Sequence, residues 1–150
     1  MPIHLLDVNL LIALAWPNHE HHAIAQNWFT ANAVQGWATC PITECGFVRV
    51  SSNAKIIPDA VAPRDAIELL PQMSRHAHPV FWSADLRLDD SQFVPYDRIR
   101  EHRQVTDAYL IALALRYGGK LATLDEGTAP LLANKAEHEV LTIISGASRE

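Results

Sequence analysis

The stretch LLDVNLLIAL, residues 5–14, sets one carboxylate and one carboxamide, Asp7 and Asn9, into a segment that is otherwise apolar. The apolar run at 3–6 predicts a short β-strand, and the helix formers at 8–15 predict a helix directly after it. Asp7 therefore lies where a strand ends and a helix begins. An Asp at such a junction is either a helix cap or part of a site at the carboxyl end of a sheet.

The rest of the chain repeats this alternation of strands and helices. Further strands are predicted at 37–40, 79–82, 120–124 and 140–144, and further helices at 20–32, 42–52, 63–73, 105–117 and 130–137. The polar segment 83–104 predicts a loop with at most one helical turn. Strands joined through helices imply crossover connections, so the fold class is α/β, with a mostly parallel central sheet covered on both faces.

Length and composition fit a single domain that spans residues 1–150. The chain is 49% hydrophobic and 19% charged, with no linker, repeat or low-complexity run. No apolar stretch approaches the ~20 residues of a membrane span, and the start lacks the basic residues of a signal peptide, so we expect a cytoplasmic protein. Two cysteines, Cys40 and Cys45, are too few for a disulfide framework and are expected to be buried thiols.

Four acids occupy positions that point to one shared site. Asp7 and Asp125 each follow a predicted strand, so both belong at the carboxyl edge of a parallel sheet. Glu44 and Asp107 each lie in a first helical turn, on stripes shared with apolar residues that should point inward. Taken singly, each acid has a structural explanation, which is helix or turn capping for Asp7 and Asp125 and the helix dipole for Glu44 and Asp107. A capping acid, however, does not need an inward-facing stripe.

A cluster of four such acids requires compensating positive charge. Two carboxylates about 4 Å apart repel by roughly 4 kcal/mol at an effective dielectric constant of about 20. Basic residues occur only at the margins of these segments, at Arg49 and Arg103. An all-oxygen donor set favours Mg²⁺, or Mn²⁺ as the alternative, over zinc. The net charge of −5 argues against binding nucleic acid mainly by counterion release, but it overstates the acidity of a surface that holds divalent cations.

The segments that carry these acids resemble the four motifs of PIN-domain ribonucleases. The quoted stretches are LLDVN at 5–9, TE at 43–44, RQVTDAYL at 103–110 and ATLD at 122–125. More narrowly, the chain resembles the VapC toxins of bacterial toxin-antitoxin pairs, particularly those of mycobacterial type. The resemblance implies a three-layer α/β/α sandwich and a metal-dependent endoribonuclease. It also implies a homodimer that a partner antitoxin holds inactive.

The resemblance also assigns roles to individual residues. The acidic quartet maps onto Asp7, Glu44, Asp107 and Asp125, and the supporting polar positions map onto Asn9, Thr106 and Thr123. We take Asp7 and Asp107 as the direct metal ligands, with Glu44 and Asp125 completing the set. Thr106 has helix capping as a second, compatible role. Candidates for contact with RNA phosphates are Arg49, Arg98, Arg100 and Arg103.

Two other enzyme classes fit the sequence poorly, and one non-enzymatic role stays open. A haloacid-dehalogenase-type phosphatase needs a second Asp two residues after the first, where this chain has Asn9. A response-regulator receiver needs paired acids after its first strand and a late Lys, and neither is in place. A PIN-like module that binds metal or RNA without cutting it remains the alternative. Substitution of Asp7 by Asn distinguishes it from a nuclease.

Overall fold

The computed structural model describes residues 2–145, and a five-stranded sheet lies at its centre. The strands are β1 (His4–Leu6), β2 (Trp37–Thr39), β3 (Pro79–Phe81), β4 (Lys120–Thr123) and β5 (Leu141–Ile143). Their order across the sheet is β3-β2-β1-β4-β5, and every neighbouring pair is parallel. Residue 1 and residues 146–150 of the predicted single domain lie outside the described part.

Helices connect the strands. They are α1 (Val8–Ala15), α2 (His22–Asn32), α3 (Pro41–Ser51), α4 (Pro63–Met73), α5 (Val105–Arg116) and α6 (Lys135–His138). Within the described residues, no helix has the length and apolar character that crossing a membrane would require.

The sheet is covered on both faces, because neighbouring residues along each strand belong to opposite cores. Leu5 and Leu121 pack in one core with buried residues of α5 such as Leu110. Leu6 packs in the other core with residues of α1 and α3, including Phe47. Since successive side chains of a strand point to opposite faces, this division produces three layers. The predicted α/β/α sandwich is confirmed, with a sheet that is entirely parallel.

The register of the sheet brings the ends of its central strands together. Leu5 of β1 lies opposite both Ala38 and Leu121. The pairing with β4 extends past β1, because the Asp7 amide donates to the Ala122 carbonyl at 2.9 Å. All five carboxyl ends therefore meet at one edge, where ligands of parallel sheets usually bind.

Two segments differ from the predicted secondary structure. The helix predicted at 130–137 is a 3₁₀ segment, Glu126–Leu131, followed by α6. The break arises because the Asn134 side chain accepts a hydrogen bond from the Glu137 amide and starts a new helix there. The loop predicted at 83–104 contains two 3₁₀ turns, Tyr96–Arg98 and His102–Gln104, where at most one turn was expected.

The prediction of two buried thiols is half correct. Cys40 is buried, but Cys45 is exposed. Cys45 shares its side of α3 with Pro41 and Arg49, both of which are exposed as well. This side of α3 therefore faces solvent, whereas Phe47 on the other side is fully buried.

Candidate active site

Asp7 is both a helix cap and a buried carboxylate. Its Oδ1 accepts a hydrogen bond from the Val8 amide at 2.8 Å, which makes it the N-cap residue of α1. Its Oδ2 accepts a hydrogen bond from the Thr123 hydroxyl at 2.7 Å. Burial raises the pKa of Asp7, against the opposing effect of these two hydrogen bonds. The capping interpretation is therefore correct for Asp7, but it accounts for only one of the two oxygens.

Thr123 joins the end of β4 to the start of α1 through one hydroxyl group. Besides donating to Asp7, its Oγ1 accepts from the Asn9 side-chain amide at 3.1 Å and from the Asp125 backbone amide at 3.0 Å. The Asn9 Oδ1 in turn accepts from the Leu124 amide at 3.1 Å. These bonds fix the orientation of the Asn9 carboxamide, and they add no charge beside Asp7.

Asp125 follows β4 and starts the 3₁₀ segment Glu126–Leu131. Its Oδ1 accepts from the Gly127 amide at 2.8 Å, so this acid also acts as a cap. The residue is exposed, unlike Asp7. No hydrogen bond reaches its Oδ2 from the described residues. One oxygen of Asp125 is therefore open to the edge of the sheet.

Asp107 lies in the first turn of α5 and has no hydrogen bond to its carboxylate from any residue in the range 2–145. Its predicted inward stripe holds, because Leu110, Ile111 and Ala114 are fully buried. Desolvation raises the pKa of Asp107 to about 7, and repulsion from Asp7 and then Asp125 adds to the increase. Asp107 is thus a half-buried acid that neither donors nor cations of the described chain compensate.

Glu44 lies in the first turn of α3 and is bound by a residue that the sequence reasoning missed. Its Oε2 accepts from the Thr39 hydroxyl at 2.8 Å. The neighbouring Thr43 faces away from this bond, because its hydroxyl accepts from the Cys40 amide at 3.0 Å and is fully buried in the cap of α3. The only sequence signal for Thr39 is a hydroxyl residue at the end of a predicted strand.

Gly46 allows α3 to approach α1 closely. A Cβ atom at this position would lie 2.5 Å from Cγ2 of Val8, which is closer than side chains tolerate. Val8 follows Asp7, and Gly46 lies two residues after Glu44. The missing side chain therefore allows α1, which Asp7 caps, to lie close to α3, whose first turn carries Glu44.

The charges of the site fit a divalent cation. Repulsion from Asp125 raises the pKa of Asp7, and repulsion from Asp7 and Asp125 raises the pKa of Asp107. Across residues 2–145, neither these three acids nor Glu44 forms an ion pair with Lys, Arg or His. Within that range, no three or more Asp, Glu, His or Cys side chains are grouped so that they could hold a metal ion together. Mg²⁺ suits such an open set, because it binds through few carboxylates and keeps several waters.

The predicted supporting residues are placed differently from one another. Asn9 and Thr123 contact Asp7 or each other, as described above. Thr106 is exposed, and its hydroxyl makes no hydrogen bond within the described part of the chain. The predicted capping role of Thr106 is wrong, because α5 begins at Val105 and Gln104 is its N-cap residue.

Three of the four predicted phosphate-binding arginines are already engaged. Arg98 pairs with Glu137 at 3.2 Å, and Arg103 pairs with Glu101 at 2.9 Å. The Arg100 guanidinium donates to the Asp97 carbonyl at 2.7 Å. Arg49, on the exposed side of α3, has no ion pair or side-chain hydrogen bond among residues 2–145. An exposed arginine without a partner can bind a phosphate without first losing another contact.

Comparison with known proteins gives one consistent result. A family model described as PIN domain matches residues 4–133, a range that contains all four acids. The chain is 51% identical to Ribonuclease VapC39 of Mycobacterium tuberculosis over 125 residues, which cover 83% of this chain and 90% of that protein. It is 49% identical to Ribonuclease VapC38 of the same organism over 142 residues, covering 93% and 99%. Identity to Ribonuclease VapC44 is 37% over 146 residues, covering 97% and 94%.

Proposed function

The chain belongs to the PIN-domain family and to its VapC-type ribonucleases, and from this membership we propose that it is a toxin that cuts RNA with the help of Mg²⁺ or Mn²⁺. The family accounts for RNA hydrolysis and for a divalent metal. The assignment of particular residues rests on this chain's own geometry.

One observation carries the proposal for a metal site. Asp107 is half-buried, its pKa is raised to about 7 by burial, Asp7 and Asp125, and its carboxylate accepts no hydrogen bond within residues 2–145. Helix caps do not account for it, since α5 uses Gln104 as its N-cap residue. The charged form of such a half-buried carboxylate costs free energy, and a nearby cation offsets that cost.

We assign Asp7 and Asp107 as the residues that hold the metal directly, with Glu44 and Asp125 completing the set. The bound cation supplies a lowered pKa for the attacking water and neutralises charge on the phosphate oxygens. Thr123 holds Asp7 in place through Oδ2, and Asn9 holds Thr123. The Val8 amide fixes the second oxygen of Asp7, so its carboxylate cannot rotate freely. For Thr106, a role in holding the site stays a prediction.

In this proposal, the phosphates of the RNA contact four arginines, which are Arg49, Arg98, Arg100 and Arg103. Arg49 is the leading phosphate contact because its guanidinium is exposed and unpaired in the described chain. Arg98, Arg100 and Arg103 must each exchange an existing partner for a phosphate, which lowers the gain from each contact. We therefore expect Arg49 to contribute more to RNA affinity than any one of the other three.

Family membership also implies a cognate antitoxin as the partner. We propose that it acts by covering the acid cluster and placing an Arg or Lys beside Asp107, where the positive charge would offset the same repulsion as the metal does. A homodimer and a cytoplasmic site of action, where RNA substrates are present, belong to the same proposal.

The test is to incubate total bacterial RNA with the purified protein and Mg²⁺ and to map new 5′ ends by sequencing. We expect a few discrete cleavage sites that disappear with Asp7→Asn. An absence of Asp7-dependent ends with either Mg²⁺ or Mn²⁺ would overturn the nuclease assignment and favour a PIN-like module that binds without cutting.

A further inference from the structure

A threonine ends each of the two strands that flank β1. Thr123 ends β4 and donates its hydroxyl proton to Asp7 at 2.7 Å. Thr39 ends β2 and donates its hydroxyl proton to Glu44 at 2.8 Å. Because β2 and β4 are the two neighbours of β1, the two hydroxyls bind one carboxylate each at the same edge of the sheet.

Thr39 is itself held firmly. Its carbonyl accepts a hydrogen bond from the Trp82 amide at 2.8 Å, so the end of β2 is joined to the end of β3. Trp82 is buried and stacks on Tyr117 with the ring planes 5° apart. The backbone of Thr39 is therefore held in place by Trp82. Its hydroxyl consequently lies at a defined position when it donates to Glu44.

Within the described part of the chain, Thr39 is the one residue that holds the Glu44 carboxylate. The adjacent Thr43 hydroxyl is committed to the Cys40 amide inside the cap of α3. Neither an ion pair nor a second hydrogen bond reaches the Glu44 carboxylate within residues 2–145. Without the bond from Thr39, the side chain would be free to rotate, and a metal ion would have to order it on binding. With that bond in place, the Oε2 atom of Glu44 is fixed, and its Oε1 atom remains available to bind a metal ion.

We propose that Thr39 is a positioning residue that pre-orients Glu44 towards the metal site. This inference rests on the proposed function, because it assumes that Glu44 belongs to the metal-binding set. Residues that orient a metal ligand typically change metal affinity about 10- to 100-fold when they are removed. Thr39 is thus expected to set the affinity for the cation, whereas the capping Thr43 serves only the local structure of α3.

The experiment titrates Mn²⁺ into the metal-free protein and follows free Mn²⁺ by electron paramagnetic resonance, so no RNA is needed. We expect Thr39→Val, which keeps the shape and removes the hydroxyl, to weaken Mn²⁺ binding by about tenfold or more. Thr39→Ser keeps the hydroxyl and should stay within about twofold of the wild type. The matched control is Thr30→Val on the exposed side of α2, which should bind Mn²⁺ as the wild type does.

A double-mutant cycle shows whether the effect passes through Glu44. In a Glu44→Gln background, Thr39→Val should cause little further loss, because the carboxylate that it orients is gone. The inference is overturned if Thr39→Val binds Mn²⁺ as tightly as the wild type. It is also overturned if Thr39→Ser is weakened equally, since the methyl group would then matter, or if the full loss persists in Glu44→Gln. Thermal unfolding of each metal-free variant checks the fold, and Thr39→Ala replaces Thr39→Val if the latter does not fold.

Parallel RNA cleavage separates the two proposals. A wild type that binds Mn²⁺ with the expected Thr39 dependence but cuts no RNA would refute the nuclease and leave the role of Thr39 intact. A wild type that cuts RNA, with Thr39→Val unchanged in Mn²⁺ affinity, would refute the role of Thr39 alone. A wild type that neither binds Mn²⁺ nor cuts RNA with Mg²⁺ or Mn²⁺ would refute both.

Discussion

The two sides of the acid cluster hold their carboxylates in different ways. On the threonine side, formed by Asp7, Asn9, Thr123 and Asp125, neutral donors bind both oxygens of Asp7 and one oxygen of Asp125. On the α5 side, Asp107 has no such donor within the described residues, and its pKa is raised to about 7.

The difference shows that the hydrogen bonds that fix the positions of the acids do not compensate their negative charge. Hydrogen bonds from Val8, Thr123 and Gly127 fix the positions of two acids without cancelling their negative charge. That charge acts on Asp107, where no hydrogen bond offsets it. The threonine side therefore provides the rigid frame, and the α5 side carries the uncompensated repulsion that a cation relieves.

Substitution of Asp107 by Asn is the strongest test of this contrast. We expect RNA cleavage to fall by about a hundredfold to a thousandfold, the loss typical of removing one group that stabilises a transition state. We also expect the metal-free variant to unfold at a higher temperature than the wild type, because the substitution removes a repelled charge. Cleavage assays and thermal unfolding without metal provide the two measurements.

A matched control is Asp65→Asn, because Asp65 also lies in a first helical turn, that of α4, but is exposed. It should leave cleavage unchanged and slightly lower the melting temperature, since it removes a favourable interaction with the helix dipole. If Asp107→Asn lowered the melting temperature of the metal-free protein as well, the two sides of the site would not differ as described.

Metal addition and removal test the same contrast without a substrate. At a Mg²⁺ concentration about a hundredfold above the dissociation constant, binding to the folded state should add about 2.7 kcal/mol to the free energy of unfolding. For a chain of this size, that is roughly a 5–10 °C rise in melting temperature. The rise should vanish with EDTA and be absent in Asp107→Asn. An equal rise in that variant would place the cation away from Asp107.

The stability of the metal-free protein should depend on pH through Asp107. Its pKa is about 7 in the folded state, above the ordinary value of 3.8, so the folded state binds more protons than the unfolded state between these values. Stability is then fully present at low pH and falls as the pH rises from about 4 to about 7. Burial lowers the pKa of His4 and His19, which contributes the opposite slope, so the Asp107→Asn variant is the reference.

Denaturant unfolding at a series of pH values, without metal, gives the required curves. The free energy of unfolding of the wild type minus that of Asp107→Asn should decrease steadily over this interval. A flat difference would mean that Asp107 is already compensated in the folded protein, and the contrast between the two sides would fail.

Much of the fold could be predicted from sequence, because the hydrophobic periodicity and the residues that begin and end helices indicate the same boundaries. The predicted helix at 8–15 coincides with α1, and the predicted helix at 105–117 differs from α5 by one residue. The prediction failed at 130–137, where a single apolar pattern runs across Pro130 and the capping Asn134. A weak pattern of hydrophobicity does not reveal that a side-chain cap divides it.

The site could be predicted as a set of acids, but its hydrogen bonds could not. Asp7 and Asp125 were placed from their positions after strands, which a parallel sheet brings to one edge. No partner was predicted for Glu44, which accepts its hydrogen bond from Thr39, five residues earlier in the chain. That contact depends on the angle between β2 and α3, which the sequence does not encode locally. The Arg98–Glu137 pair, 39 residues apart, likewise depends on the path of a loop.

Of these substitutions, Asn9→Ala is expected to reduce RNA cleavage least, and it tests how the threonine side holds Asp7. It removes the bond from Asn9 to Thr123 and leaves the Leu124 amide without its acceptor, at a cost of about 1 kcal/mol in the free energy of unfolding. Asp7 keeps its own bonds to Val8 and Thr123, so cleavage should fall only about tenfold, as expected for a residue that acts through another.

The matched control for this variant is Asn18→Ala, since Asn18 is exposed and its side chain has, among the described residues, one hydrogen bond of 3.4 Å to Asp59. It should change neither stability nor cleavage measurably. A loss in Asn9→Ala as large as that of Asp107→Asn, measured under the same Mg²⁺ concentration, would mean that Asn9 acts on the metal or the RNA itself. The threonine side would then be part of the reacting site, and the separation between a rigid frame and an uncompensated charge would no longer describe it.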